Sequence, residues 1–122
     1  MSRILIVDDD PGVRELLQDY LKSRGYTVEA AADGLSTLEA VRRDPPDLLL
    51  LDLMMPGMNG MEVLRKLPLS AKGMTVIVVT AVTEEDVGRA ALRAGAMDYI
   101  TKPIDLAYLE QAVAAALMKK QI

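Results

Sequence analysis

The sequence predicts an α/β protein of the form (βα)5, a doubly wound parallel five-stranded sheet with helices on both faces joined by right-handed crossovers. Two observations predict it. Five short β-rich runs alternate with helical patterns: RILIV (3–7), TVEAA (27–31), LLLLDL (48–53), TVIVVT (75–80) and DYIT (98–101), with room for one helix between each pair. The first, third and fourth runs are almost continuously apolar, as strands are when helices cover both faces.

The helices follow in order. From Pro11 to Arg24, Val13, Leu16, Leu17, Tyr20 and Leu21 recur at one-face helical spacing, with Asp10 as N-cap, Pro11 at the first helical position and Gly25 as the stop. Leu35, Leu38 and Val41 mark a second helix ending before Pro45-Pro46, and Met61, Leu64 and Leu67 a third ended by Pro68. A fourth, from about Glu84 to Ala94, carries the small-residue face Val87, Ala90, Ala91 and Ala94. A fifth runs from Leu106 to about Lys120 and buries Leu106, Leu109, Val113 and Leu117, its lysines at the end that suits the helix dipole. No repeat, low-complexity tract or linker interrupts the pattern, so residues 1–122 read as one domain.

Composition narrows the function. Of 122 residues, 51% are hydrophobic, enough for a core, and cysteine is absent, so packing alone must hold the fold. No apolar run is long enough for a membrane span or a secretory signal, which points to a cytoplasmic protein. A formal charge of −4, with no basic run longer than a pair such as Lys119-Lys120, argues against direct nucleic-acid binding. Histidine is also absent, so any chemistry rests on carboxylates, hydroxyls and amines.

Ligands of open parallel sheets sit beyond the carboxyl ends of the strands. There strand 1 delivers Asp8, Asp9 and Asp10, strand 3 Asp52, strand 4 Thr80, and strand 5 Thr101 and Lys102. Each has an ordinary reading alone: Asp10 caps a helix, Asp8 and Asp9 are strand-end acids, Thr80 is a β-branched strand residue and Lys102 a surface cation. Asp52 behind four leucines is harder to account for, because a buried charge is costly unless it emerges at a site. Carboxylates converging from two strands need a cation to stay ionised together, and Mg²⁺ is the natural hard partner. A lysine and a hydroxyl opposite would favour a phosphoryl group, with a carboxylate as nucleophile.

In the segments ILIVDDD (4–10), DLMMPGMNGMEVL (52–64), VVTA (78–81) and AGAMDYITKP (94–103), the chain resembles the receiver domain of bacterial two-component response regulators along essentially its whole length. The resemblance implies a flavodoxin-like sheet of order 2-1-3-4-5, as in chemotaxis receivers. It implies Asp52 as phosphoacceptor, with Asp8, Asp9, Asp52 and the backbone carbonyl of Met54 holding Mg²⁺. Thr80 would bond a phosphoryl oxygen and Lys102 pair with the phosphate, through a cis peptide to Pro103. Tyr99 would be the switch aromatic that follows the state of Thr80. A phosphohistidine on a sensor kinase or phosphotransfer protein would be the donor. The change would spread to helix 4, strand 5 and helix 5, which would control an output domain, a partner or a second copy in a homodimer. On helix 5 the side away from the buried stripe, Tyr108, Ala112 and Ala115, is a candidate for that contact. Met54 and Val82, apolar at positions that influence phosphoryl lifetime in this family, imply no unusually fast self-dephosphorylation.

Competing readings have identifiable weak points. A Mg²⁺-dependent phosphohydrolase of the haloacid dehalogenase type would place a second aspartate two residues after the nucleophile, where this chain has Met54, and would need room for a cap domain. The segment GMNG (57–60) is neither a dinucleotide fingerprint nor a P-loop. An interaction module that has lost phosphorylation would not be expected to keep Asp8, Asp9, Asp52, Thr80 and Lys102.

Overall fold

A computed structural model describes residues 2–67 and 73–121, with side chains as far as Met118. Five strands, β1 (Arg3–Val7), β2 (Thr27–Ala31), β3 (Leu48–Leu51), β4 (Thr75–Thr80) and β5 (Asp98–Thr101), form one parallel sheet in the order β2-β1-β3-β4-β5. The helices between and after them are α1 (Pro11–Ser23), α2 (Gly34–Arg43), α3 (Gly60–Lys66), α4 (Glu85–Arg93) and α5 (Leu106–Gln121). Both the (βα)5 alternation and the 2-1-3-4-5 order are those expected. Strand order reverses between β1 and β3, so their carboxyl ends open a crevice.

The period of two along the strands divides the core into two layers. Leu5, Val7, Leu49, Leu51, Val76 and Val78 face Val41 of α2, Val63 and Leu64 of α3 and Ala91 of α4. Ile4, Ile6, Leu48, Leu50, Ile77, Val79 and Ile100 face Leu17 and Leu21 of α1 and Leu109, Val113, Ala116 and Leu117 of α5. The four leucines of β3 are all buried because each layer claims two.

Several local expectations need correction. β3 stops at Leu51, the last residue paired to both Val7 and Val78, so Asp52 and Leu53 lie beyond the strand, although the Asp52 N–H still donates to the Val7 carbonyl at 3.0 Å. Leu16, placed on the apolar face of the first helix, and Leu35, one of the residues marking the second, are exposed, because the sheet contacts a stripe narrower than the apolar face: Leu17 and Leu21 in α1, Thr37 and Val41 in α2. Ala112 packs against the core, whereas Tyr108 and Ala115 are exposed. Pro68 lies outside the described residues, and α3 ends at Lys66 with Leu67 as C-cap. The lysines at the end of α5 lie beyond the described side chains.

Capping follows the sequence signals. The Asp10 carboxylate accepts from the N–H groups of Gly12 and Val13 at 2.8 and 3.4 Å, and Gly25 takes a positive φ of 92° after α1. Asp105, which the sequence reading passed over, caps α5 by accepting from Ala107 and Tyr108 at 3.0 and 3.2 Å.

Candidate functional site

The crevice collects the residues named from the strand ends. Asp8 follows β1 and Asp52 follows β3, and they are only 2% and 4% exposed, so neither carboxylate can rely on bulk water. Lys102, after β5, supplies the counter-charge: its Nζ donates to Asp8 Oδ2 at 2.8 Å and to Asp52 Oδ2 at 3.1 Å. Three segments distant in sequence thus meet at one ammonium group. The Lys102–Pro103 peptide is cis.

The second oxygen of each carboxylate is held by main chain. The Asp10 N–H donates to Asp8 Oδ1 at 2.9 Å and the Met54 N–H to Asp52 Oδ1 at 3.0 Å. Arg14, which sequence reasoning missed, donates from Nη1 to the Asp8 carbonyl at 2.7 Å. Its position, one turn into a helix behind the acidic cluster, was the available signal.

Burial pushes the Asp8 carboxyl above the ordinary aspartate value; hydrogen bonds from Lys102 and the Asp10 amide oppose the rise, and the charge of Asp52 adds to it. For Lys102, burial alone would lower the ammonium, but its bonds to Asp8 and Asp52 and their charges outweigh it and raise the group above the ordinary lysine value. The ion pair is therefore self-consistent: each side favours the charged form of the other.

Asp9 is exposed, yet one of its oxygens lies within 4.8 Å of oxygens from both Asp8 and Asp52. Three carboxylates with one lysine leave a local excess of negative charge. All the donors are hard oxygens, so this set fits a divalent hard cation and suits softer metals poorly.

The remaining predicted residues line the next strands. Thr80 is fully buried at the end of β4; its Oγ1 accepts from the Val82 N–H at 3.4 Å and its carbonyl accepts from the Lys102 N–H at 2.8 Å. Tyr99 on β5 is half-buried, and its hydroxyl donates to the Val82 carbonyl at 2.7 Å. Burial raises its phenol above the ordinary value, helped by the charges of Glu84 and Asp52. The β4–α4 connection is therefore tied at one residue, Val82, whose N–H donates to Thr80 and whose carbonyl accepts from Tyr99. Met54 leaves its side chain exposed beside Asp52.

Comparison with known proteins agrees with this architecture. Residues 4–114 match the response regulator receiver domain. The response regulator MprA of Mycobacterium ulcerans is 43% identical over 120 residues, covering 98% of this chain and 52% of MprA. The chain thus spans about half the length of that relative. Among solved structures, a receiver domain protein (CheY-like) from Methanospirillum hungatei superposes with a TM-score of 0.94 at 33% identity, covering 99% of this chain and 97% of that one. The response regulator TrrA of Thermotoga maritima, solved in complex with Mg²⁺-BeF, has a TM-score of 0.86 at 33% identity, with 96% and 100% covered. A match over nearly the full chain, joined to the same fold at this level of identity, leads to one conclusion: the chain belongs to the response regulator receiver domain family.

Proposed function

We propose that this receiver domain is switched by transfer of a phosphoryl group from a phosphohistidine to Asp52. The observation that supports the reading best is the bridge from Lys102 Nζ to both Asp8 and Asp52, which puts an acid pair, a lysine and a third acid at one sheet edge. In the transfer, an Asp52 carboxylate oxygen bonds to phosphorus as the donor's P–N bond breaks, and the departing imidazole nitrogen keeps the electron pair. Lys102 stays protonated throughout and follows the charge from the carboxylate to the phosphoryl oxygens. Asp8, Asp9, Asp52 and the Met54 carbonyl would hold Mg²⁺, which when bound supplies neutralising charge and a place for a phosphoryl oxygen; the Mg²⁺-BeF bound to TrrA supports that choice. Thr80 Oγ1, now bonded by Val82, would turn to a phosphoryl oxygen, and Tyr99 would follow because it shares Val82.

The donor would be a sensor histidine kinase or a phosphotransfer protein, as this chain has no histidine of its own. The readout would be the α4–β5–α5 side, through an output domain, a partner or a second copy. The setting would be the cytoplasm; among the described residues no helix is long and apolar enough to cross a membrane. The domain is regulatory, and its own phosphorylation and dephosphorylation would be its only reactions. The hydrolase reading has no support in the comparisons, and Met54 stands where its acid would be.

Incubation with Mg²⁺ and acetyl phosphate, followed by intact mass measurement, should show one phosphoryl adduct that Asp52→Asn abolishes. An adduct that persists in Asp52→Asn would refute the assignment. Steady release of phosphate from added monoesters would instead support a hydrolase.

A further inference from the structure

After Asp52 the chain makes a loop and returns as α3, whose N-cap is Asn59. The return passes extremely close. The Gly60 N–H donates to the Leu53 carbonyl at 3.0 Å, and a Cβ on Gly60 would lie 2.3 Å from the Asp52 carbonyl oxygen, 2.5 Å from Leu53 Cα and 3.0 Å from the Asp52 carbonyl carbon. The first turn of α3 therefore rests directly on the peptide joining Asp52 to Leu53. These three nearest atoms are all main chain, so rotating a side chain does not relieve the approach.

We propose that Gly60 is a positioning residue for Asp52: bare backbone at the start of α3 sets how far the Asp52–Leu53 peptide, and with it the reacting carboxylate, stands from Asp8 and Lys102. The proposal rests on Asp52 being the phosphoacceptor. On the other side, Asp52 is restrained by its N–H bond to Val7 and by the Met54 N–H on Oδ1. The peptide is thus pinned between β1 and α3. A methyl group at position 60 must open the 2.3 Å approach by about 1 Å to reach ordinary van der Waals contact. The carboxylate moves with its own main chain, whereas Asp8, after β1, and Lys102, after β5, stay. A misplacement of about 1 Å at a reacting group costs on the order of 100-fold in rate.

The test compares Gly60→Ala with Val113→Ala, a truncation in the buried middle of α5 that weakens the fold without touching the site. Asn59→Ala, which removes the side chain accepting from the Glu62 N–H at 3.0 Å and loosens the same turn without adding atoms, is the companion for the case where Gly60→Ala does not fold. Each folded protein is labelled with acetyl phosphate at saturating donor and Mg²⁺, and the rate is read by intact mass alongside the melting temperature. Gly60→Ala should label on the order of 100-fold more slowly and Asn59→Ala several-fold more slowly, with Val113→Ala at the wild-type rate despite its lower melting temperature. If Gly60→Ala folds and labels at the wild-type rate, or if it does not fold and Asn59→Ala tracks Val113→Ala, the proposal fails while the phosphoacceptor reading stands. A wild-type protein that takes no label overturns both.

Discussion

Removing the Lys102 ammonium should unmask the cost of two adjacent buried acids. In Lys102→Met, Asp8 and Asp52 keep their burial but lose the donor that bridges them at 2.8 and 3.1 Å. Breaking a buried ion pair by deleting one partner costs about 3–5 kcal/mol. A second route bounds the same quantity: the variant can relieve itself by protonating one carboxylate, which at pH 7 costs about three pK units, or roughly 4 kcal/mol. The Lys102 side chain is 20% exposed, so water reaches the mouth of the site and the lower part of the range applies, about 3 kcal/mol. For a domain of this size that is a fall of roughly 10 °C in melting temperature. The assay is urea unfolding followed by circular dichroism, in EDTA and in Mg²⁺, at pH 7 and pH 5. At pH 5 the protonation route costs only about 1.5 kcal/mol, so the loss should shrink to that level. Mg²⁺ should narrow the gap between variant and wild type, because a cation bound to the acids replaces the missing charge. Equal midpoints in EDTA at pH 7 would show that the acids are screened by solvent and that the bridge does not govern the site.

Asp8 yields a prediction of the opposite sign. Its folded-state value is raised, so the stability it contributes is fully present below the ordinary aspartate value of 3.8 and is lost as pH rises through the folded value. In EDTA at neutral pH, Asp8→Asn should therefore unfold at higher urea than wild type, and the difference should close as the pH is lowered toward 4; a constant difference across that range would contradict it. Gly88 lies within α4, where a Cβ would sit 3.9 Å from the Tyr99 ring, an ordinary contact. Gly88→Ala should thus recover about 1 kcal/mol of helix propensity, seen as a higher melting temperature, and a loss of stability would mean that the ring needs the open space.

Much of this molecule is legible in its sequence because strands and helices repeat their chemistry locally. The alternation of β runs with helical faces specified the fold class, and the rule that ligands gather at strand carboxyl ends picked out Asp8, Asp52, Thr80 and Lys102. Leu16 and Leu35 were misread because periodicity marks which side of a helix is apolar but says nothing of how wide a stripe the sheet covers. Ala112 was misread for the converse reason, since an alanine looks alike on a surface and in a close contact. Arg14 gave little warning, because its partner is a main-chain carbonyl and carries no residue signature.

The sequence by itself determined the parallel sheet, the caps of α1 and the identity of the acids, lysine and hydroxyl, all of which depend on neighbours a few residues away. Distances between groups far apart along the chain were left to the tertiary structure. Only there does Lys102 meet Asp8 across 94 residues and Asp52 across 50, and only there does Tyr99 share Val82 with Thr80. The same holds for the contact of Gly60 with the Asp52–Leu53 peptide, which depends on how a loop closes and leaves no pattern except a glycine. Residue types follow from local chemistry, whereas the charge balance and the spacing at the site arise from packing the two helical layers onto one sheet.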